Sequence, residues 1–401
     1  MSDSPKEQQL WDACTSGDLD LVRRLVNDED VDVNWADPEI QRTTFYRACG
    51  HGRVAVVEFL LKDPRIDVNK TQKEEATPFF IACQQGHPDV VSLLLADERT
   101  KVNQPDIDGV TPFSFACQRG HKEVVVLLLN DPRIDANTFA KNGCTPFFIA
   151  CHHGQKEVVS LLLADSRIDV NKPRDTQASP FFMACQEDHK EVVSLLLNDP
   201  RIKINELNHT GTTPLWMASQ NGHLGTVQLV LTSEREVDTK TKTIAGSARW
   251  NNKTAAEIAR LQGTRTTFQN ESEEEYTRKK RCCPLIASLI DSFDLDPATT
   301  RQYLRELPEL RDPFIGDLFA LVIFICDGLL VVGAESSASS SFSTNTSKKA
   351  ARFFQIVQLL PMELQMVLCN RAFGAGKNLV LTKHSEPAFK KLGRLLAMSE
   401  V

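Results

Sequence analysis

The stretch that decides the fold is residues 107–129, which read IDGVTPFSFACQRGHKEVVVLLL. Its Thr-Pro pair recurs along the chain at Thr77-Pro78, Thr111-Pro112, Thr145-Pro146, Ser179-Pro180 and Thr213-Pro214, with a degenerate copy at Thr43-Thr44. Each step is 34 positions. A fixed period of this size is the signature of a solenoid, in which every repeat packs only on its neighbours. Such a fold presents a long surface and usually no enclosed pocket, which favours binding over catalysis.

A single repeat, residues 73–106, has the pattern of a helix pair. Thr77 is a good N-cap, and Pro78 is tolerated at the first position of a helix. Phe79 together with Ala82-Cys83 has the i, i+3, i+4 spacing of a buried helix face. The second helix of the repeat is apolar on most sides, so it must be sandwiched between neighbours. The repeats are therefore predicted to form one continuous array.

This unit resembles the ankyrin repeat, whose pattern is roughly D-x-x-G-x-T-P-L-H-x-A-A-x-x-G-H-x-E-V-V-x-L-L-L. The resemblance covers about residues 5–275 and is specific because it recurs in phase. It implies an all-α ankyrin-repeat solenoid, built from helix-turn-helix repeats with hairpin finger loops. Asp108-Gly109 is a turn signal consistent with such a finger. A small helical C-terminal domain is expected to follow the array.

Two features depart from the family pattern. The usual repeat has roughly 33 residues, and the extra residue here lies after the Leu run, where segments such as Asp131-Pro132-Arg133-Ile134 replace a short Gly-Ala link. The His that follows Thr-Pro-Leu in the family is replaced by Tyr46, Phe80, Ser114, Phe148, Phe182 or Trp216. We expect aromatic packing to replace a polar contact between repeats.

The expected organisation follows the repeat phase and its ends. It comprises an N-terminal capping repeat at 1–38, six repeats at 39–237, an insertion with a degenerate capping repeat at 238–275, a basic linker at 276–284, and a helical domain at 285–401 with a Ser-rich loop at 336–349. Terminal repeats that differ from the others are typical of solenoids, because their outer sides face solvent.

The resemblance also implies a binding surface, because the finger tips and the exposed ends of the first helices line a concave groove in ankyrin arrays. The helix-end positions are Gln84, Gln85, Gln118, Arg119, His152, His153, Gln186, Glu187, Gln220 and Asn221. The finger positions are Lys73, Glu74, Ile107, Asp108, Lys141, Asn142, Asp175, Thr176, His209 and Thr210, with Trp35 and Phe139 as aromatic anchors near the tips. A groove of this polar character suits a partner peptide or protein surface.

Six of the 11 cysteines stand at one phase of the repeat: Cys14, Cys49, Cys83, Cys117, Cys151 and Cys185. Successive members are expected roughly 10 Å apart, which is too far for a disulfide, so we interpret them as buried packing residues. The adjacent His152 and His153 point about 100° apart on a helix and would rarely chelate together. We expect no metal and no cofactor.

The bulk composition bounds the partner and the location. A net charge of −7 argues against nucleic acid as a general partner. Residues 1–9 lack the apolar core of a signal peptide. We expect a cytoplasmic monomer, with nuclear localisation as the alternative.

The last third of the sequence leaves alternatives open. The basic run at 278–281 before Cys282-Cys283 is interpreted as a solvated linker, with a nuclear-localisation patch or palmitoylation of the cysteines as alternatives. Residues 315–332 are strongly apolar but contain Asp317 and Asp327, which favours a buried helix over a membrane span. Residues 360–364, LPMEL, look slightly like the opening of an F-box, a short helical motif that recruits ubiquitin ligase.

These observations predict a non-enzymatic scaffold or adaptor that binds another protein through its concave groove. The chain has no G-x-S-x-G, no H-E-x-x-H and no true Walker sequence, which are signatures of common enzyme classes. Two alternatives are a ubiquitin-ligase substrate adaptor whose C-terminal helices recruit the ligase, and a membrane-tethered ankyrin scaffold.

Overall fold

The structure of the protein is a computed structural model that describes residues 5–244, 250–265 and 271–307. All but the last three of these residues belong to one compact unit that ends at Leu304. The helices are α1 (Lys6–Ser16), α2 (Leu19–Val26), α3 (Thr44–Gly50), α4 (Val54–Leu61), α5 (Pro78–Gln85), α6 (Pro88–Ala96), α7 (Pro112–Arg119), α8 (Lys122–Asn130), α9 (Pro146–His152), α10 (Lys156–Ala164), α11 (Pro180–Gln186), α12 (Lys190–Asn198), α13 (Pro214–Asn221), α14 (Leu224–Thr232), α15 (Ala255–Gly263), α16 (Glu273–Leu295) and α17 (Pro297–Glu306). Among these residues there is no strand, which confirms the predicted all-α class.

The first helix of each repeat starts at the Thr or Ser that marks the period. The hydroxyls of Thr43, Thr77, Thr111, Thr145, Ser179 and Thr213 each accept the backbone N–H three residues later, at 3.0–3.2 Å. All six side chains are buried. These caps satisfy N–H groups that would otherwise lack a partner at the start of a helix. The recurring Thr-Pro pair is therefore a structural device.

The helices stack in two rows. The first helices, from α1 and α3 to α15, pack on each other, and the second helices, from α2 to α14, form a parallel row behind them. The first row packs more closely, so the stack curves with the first helices on its inner side. One Phe or Leu per repeat fills the core between the rows, namely Phe45, Phe79, Phe113, Phe147, Phe181 and Leu215. Burial of these side chains is what joins the repeats, since no single helix pair has a core of its own.

The aromatic residues at the position of the family's His are buried between neighbouring repeats. Tyr46 and Phe80 form one cluster with Ala76, and Phe148 and Phe182 belong to another. The predicted aromatic packing is confirmed. The Nε2 atoms of His87, His121, His189 and His223, at the turn before each second helix, lie 2.8–3.0 Å from carbonyl oxygens of the preceding repeat and donate to them. These histidines thus provide polar contacts between neighbouring repeats at this turn.

A second set of contacts joins the repeats along the edge opposite the groove. Arginines two residues after an aspartate, Arg65, Arg99, Arg133, Arg167 and Arg201, each pair with that aspartate at 2.6 Å. Each also donates to a carbonyl of the preceding repeat, at 2.6–2.8 Å. The segment that carries the extra residue of the 34-residue period therefore holds neighbouring repeats together.

Asparagines add a similar row beside these arginines. Asn34, Asn69, Asn103, Asn137, Asn171 and Asn205 each donate to a carbonyl of the next repeat at 2.6–2.8 Å. Their Oδ1 atoms accept backbone N–H groups of the same neighbour at 2.8–3.1 Å. We call the two rows together the outer edge. Five of its junctions repeat the same chemistry, and at the sixth Arg235 donates to the carbonyls of Asp199 and Ile202 without an aspartate two residues before it.

The expected basic linker at 276–284 is wrong, because these residues lie inside α16, which packs on α13, α14 and α15. The buried Cys282, Ile286 and Ile290 recur every four residues and form one apolar face of this helix. Lys279 is buried too and pairs with Glu271 and Glu275 at 3.0 and 2.5 Å. An amphipathic pattern thus underlies the basic run, and α16 covers the end of the array.

This packing bears on the alternatives drawn from the same segment. Cys282 and Cys283 are both buried, and the Cys283 thiol lies 3.5 Å from the carbonyl oxygen of Ser219. Burial raises the pKa of Cys283 to about 12. Neither thiol is exposed for acylation in this structure. The basic run is held in a packed helix with Lys279 inside, so it does not form an extended, accessible signal.

Several sequence expectations fall outside the described residues. They concern the apolar segment at 315–332, the Ser-rich loop at 336–349, the F-box-like residues 360–364 and most of the domain expected at 285–401. In the parts of the chain that the structure does describe, no helix has the length and apolar content needed to cross a membrane.

Candidate partner-binding surface

The hairpin fingers form one continuous row along the array. Each finger donates one backbone N–H to the preceding finger: Lys73 to Ile40, Ile107 to Glu74, Lys141 to Asp108, Asp175 to Asn142, His209 to Thr176 and Ile244 to Thr210, at 2.9–3.3 Å. The predicted finger residues Lys73, Glu74, Ile107, Asp108, Lys141, Asn142, Asp175, Thr176, His209 and Thr210 all stand at these joints. The structure therefore brings them together as one strip.

The predicted helix-end pairs form a second strip. The later member of each pair is exposed at Gln85, Arg119, His153 and Glu187, and the earlier member is half-buried. Neighbouring pairs contact each other, as the side-chain nitrogen of Gln118 lies 3.1 Å from Nε2 of His153. Burial, with a contribution from His153, lowers the pKa of His152. Since a neutral imidazole can accept or donate, these histidines suit polar contacts with a partner.

The last helix-end pair differs from the others because α16 lies over it. Gln220 and Asn221 are only half-exposed. Nε of Arg278 donates to the Asn221 carbonyl at 3.2 Å, and the Asn221 amide donates to the Gln186 carbonyl at the same distance. The open part of the helix-end strip therefore runs from Gln85 to Glu187.

The two predicted aromatic anchors lie in different settings. Phe139 is 60 % exposed just before its finger, and Nζ of Lys172 lies 6.0 Å from the centre of its ring. Trp35 is not at a finger tip: it is half-buried in a turn beside Asn34, and the tip of that finger is at Ile40. Phe139 is thus the better placed of the two to meet a partner.

A hollow of about 550 Å³ opens between the two strips, across the repeats at 39–72, 73–106 and 107–140. We call it the groove hollow. Five predicted residues line it, namely Glu74, Gln84, Gln85, Ile107 and Asp108. The sequence interpretation missed other lining residues: Arg42, Tyr46, Arg47, His51, Phe80, Ile81, Asp106 and Phe115. The predicted strips therefore border this hollow but supply only part of its lining.

The floor of the groove hollow is apolar. The rings of Phe80 and Phe115 meet edge to face with 5.0 Å between their centres. Tyr46 is buried beside them, whereas Ile81 and Phe115 keep part of their surface open to the hollow. Such a floor suits a large apolar side chain, since burying apolar area is the main favourable term in association.

The basic residues of the groove hollow come from the repeat at 39–72. The Arg47 guanidinium lies 4.4 Å from the centre of the Trp11 ring, and its Nε donates to Thr15 Oγ1 at 3.2 Å. The Arg42 guanidinium lies 5.8 Å from the Tyr46 ring centre, and its Nε is buried with no acceptor among the described residues. Burial, aided by the charge of Arg42, lowers the pKa of Arg47.

The acidic residues come from the fingers of the next two repeats. Asp106 accepts the backbone N–H groups of Asp108 and Val110, at 3.0 and 2.8 Å. Burial raises the pKa of Asp106, and the charges of Asp108 and Glu74 add to this. None of these three carboxylates takes part in an ion pair among the described residues. The hollow thus carries one sign of charge toward each end.

The missed arginines left a signal in the sequence. At the phase of Arg42 the other repeats have Ala76, Val110, Cys144, Ala178 and Thr212. At the phase of Arg47 they have Ile81, Phe115, Ile149, Met183 and Met217. A charged residue that replaces a small or apolar one at two phases of a single repeat marks a local departure, and comparison of the repeats with each other would have found it.

Comparison with known proteins supports the resemblance on which the surface was predicted. The family profile described as "Ankyrin repeats (3 copies)" matches residues 10–106, 79–174 and 166–243. No curated protein matches the chain.

Proposed function

Because this chain belongs to the ankyrin-repeat family, whose repeats are a protein–protein interaction module and generally not enzymes, we propose that it is a non-enzymatic scaffold or adaptor. It binds a partner protein through the concave groove between the finger strip and the helix-end strip. Its own role is to hold that partner, so specificity resides in the exposed side chains of the two strips.

One observation carries this proposal. The finger strip is continuous, because a backbone hydrogen bond joins each finger to the next, and within the helix-end strip Gln118 contacts His153. The side chains on them differ from repeat to repeat, and both strips border a hollow with an apolar floor and charged walls. A polar rim around apolar contact area is the usual anatomy of a protein interface. Large apolar or aromatic groups at its centre act as anchors.

The test is capture of partners by the full chain in cell extract, with chemical cross-linking and mass spectrometry. The groove variant combines Gln85→Ala, Arg119→Ala and Glu187→Ala, which are exposed members of the helix-end strip. The matched control combines Lys122→Ala, Glu157→Ala and Ser160→Ala, which replace one basic, one acidic and one neutral polar side chain exposed on α8 and α10 in the other helix row.

We expect the groove variant to lose at least one partner that the wild-type chain and the control variant both retain. Both variants should keep the wild-type circular dichroism spectrum, because the replaced side chains are exposed. A partner set that is unchanged in the groove variant, or lost equally in the control, would contradict binding through the groove.

A further inference from the structure

We infer that the groove hollow receives a partner segment in which a large apolar side chain stands between an acidic residue and a basic residue. This inference rests on the proposed function, because it names the kind of polypeptide that the groove accepts. The acidic residue lies toward the repeat at 39–72, and the basic residue lies toward the finger of the repeat at 107–140.

The apolar floor of the groove hollow favours a large apolar side chain at the centre of the partner segment. Phe80 is buried against Phe115, and the exposed parts of Phe115 and Ile81 face the hollow together with Ile107, which is itself 48 % exposed at the finger. These groups come from two neighbouring repeats, so a single large side chain inserted among them contacts both. A small or polar side chain would leave this apolar surface in contact with water.

Arg42 and Arg47 favour an acidic residue on one side of the partner's apolar side chain. A buried N–H without an acceptor is unfavourable, and the Arg42 Nε is such a group. Its guanidinium and that of Arg47 make no ion pair with a described carboxylate, although Arg47 stacks on Trp11. A carboxylate from the partner would accept from these donors in the geometry that arginine favours.

The acidic residues of the groove hollow favour a basic residue on the other side of the partner's apolar side chain. Glu74, Asp106 and Asp108 line the same side of the hollow, and the charges of the first and last disfavour ionisation of Asp106. Like charges brought together at a partly desolvated site attract a counter-charge from the ligand. A lysine or arginine of the partner supplies it. The same three carboxylates disfavour a phosphate-rich ligand such as a nucleic acid.

The charges belong to this hollow and not to the repeat architecture. The phases of Arg42 and Arg47 hold small or apolar residues in the other five core repeats. The repeat fold therefore does not require arginine at either of these two phases. A structural role common to all repeats would place the same residue type at each phase, as the outer edge does.

The probe is a set of fluorescein-labelled synthetic peptides titrated with the full chain and followed by fluorescence polarisation. Each peptide holds Phe between two charged positions, with one to three Gly or Ser residues as spacers and with both orders of the charges. The set includes the acidic–basic pair, the doubly basic and doubly acidic versions, a version with Gln at both charged positions, and a version with Ala in place of Phe.

For the wild-type chain we expect at least one acidic–basic Phe peptide to bind tenfold or more tightly than its Gln and Ala counterparts. Arg42→Glu should shift the preference to the doubly basic peptide, and Asp108→Lys should shift it to the doubly acidic peptide. Arg42→Gln, a milder change, should abolish the preference for the acidic residue. The control Lys122→Glu changes the net charge by as much as Arg42→Glu does, but on the other helix row, and should bind like wild type.

Equal affinity for all peptides, no binding of any, or variants that keep the wild-type preference would overturn the inference. Circular dichroism melting confirms that each variant is folded. The outcome is separable from that of the capture experiment: partners that depend on Gln85, Arg119 and Glu187 while the peptides show no charge preference would leave the proposed function standing and this inference wrong.

Discussion

The outer edge and the groove edge of the array are built by opposite rules. On the outer edge, the five repeats from 39–72 to 175–208 offer the same Asp-x-Arg and Asn side chains, and they make the same hydrogen bonds to the neighbouring repeat. On the groove edge, the helix ends read Gln-Gln, Gln-Arg, His-His, Gln-Glu and Gln-Asn in successive repeats. Uniform chemistry accompanies contacts within the chain, and varied chemistry accompanies surface left open.

This contrast separates side chains that stabilise the fold from those that are available for binding, and it does so inside a single sequence. A residue type fixed in phase, such as the Leu at 94, 128 and 162, has its surroundings supplied by the repeat itself. A residue that changes with each repeat has no such constraint. Binding energy can therefore be tuned at the groove edge with little change in folding free energy.

The strongest test of the contrast is in the core. Leu128 in α8 is fully buried, whereas Val126 in the same helix is 36 % exposed. We expect Leu128→Ala to lower the free energy of unfolding by about 3 kcal/mol, because it removes apolar contacts and leaves a cavity. Val126→Ala should cost less than about 1 kcal/mol. Urea unfolding followed by circular dichroism measures both, and equal losses would contradict the assignment of Leu128 to the packed core.

A smaller effect is expected at the outer edge. Arg133 donates to the Leu95 carbonyl and to Asp131, both at 2.6 Å, across a repeat junction. Arg133→Ala should lower the free energy of unfolding by roughly 1 kcal/mol, since these bonds are partly exposed to water. Arg119→Ala, on the groove edge, should change it by less than about 0.5 kcal/mol. The comparison of the two edges fails if Arg119 proves as costly as Arg133.

The same junctions predict a dependence on pH. Hydrogen bonds from the arginines lower the pKa values of Asp63, Asp97, Asp131, Asp165 and Asp199 below the usual 3.8. A lowered pKa in the folded state gives stability that is present above pH 3.8 and is lost as the pH falls through the folded value. Asp131→Asn should therefore flatten the fall in unfolding free energy below about pH 4.

Asp106 on the groove edge is the control of opposite sign. Its pKa is raised in the folded state, so its protonation favours folding as the pH falls toward 3.8. Asp106→Asn should remove this gain in unfolding free energy at low pH. Asp131→Asn should instead remove a loss of unfolding free energy at low pH. Urea unfolding between pH 3 and pH 6 distinguishes the two, in steps of about half a pH unit. Slopes that change in the same direction would show that the two edges do not differ electrostatically.

The smallest net effect is expected at Asp188, in the turn after α11. Its φ of 59° is left-handed, and the other core repeats have Gly at this phase, as at Gly120. Asp188→Gly should relieve strain of about 1 kcal/mol but lose the 2.7 Å bond from Thr226 Oγ1, which contributes a similar amount. We expect a shift in Tm near zero. In a Thr226→Val background only the longer contacts of Asp188 with Lys190 and His223 remain, at 3.9 and 3.7 Å, so most of the gain should appear there, and its absence would refute the strain.

The repeated part of the fold could be predicted from the sequence because its signals are local. Thr77 caps a helix through its own side chain, and the next cap stands 34 positions later for the same reason. The finger and helix-end strips also followed from the repeat phase. Local chemistry repeated in register leaves little for tertiary context to override.

The end of the array was not predicted because α16 departs from the period. Its basic run suggested a solvated linker, although the structure keeps the helix continuous from Glu273 to Leu295 with Pro284 inside it. Packing decides the matter: a Cβ added at Gly263 would lie 2.7 Å from Pro284, so the proline is held tightly against α15. Only the contact between two distant segments accommodates both features.

The groove hollow was half-predicted for a different reason. Phase identified Gln84 and Gln85 from the family's groove positions, but Arg42 and Arg47 stand at phases that are normally interior. Their side chains reach the hollow because Trp11 and Tyr46 provide aromatic faces on which they lie. The contact between Arg47 and Trp11 joins two repeats and is visible only in three dimensions.

The repeated hydrogen bonds of the outer edge allow the number of repeats in the array to be changed. Each arginine reaches a carbonyl 38 or 39 positions earlier, and each asparagine reaches one about 30 positions later. Excising 34 residues, such as 107–140, would bring together two units whose edges present matching partners. A cut one residue longer or shorter would leave arginine opposite the wrong carbonyl. Whole repeats can thus be removed or duplicated, and the length of the protein's surface altered, while the contacts between neighbouring repeats stay the same.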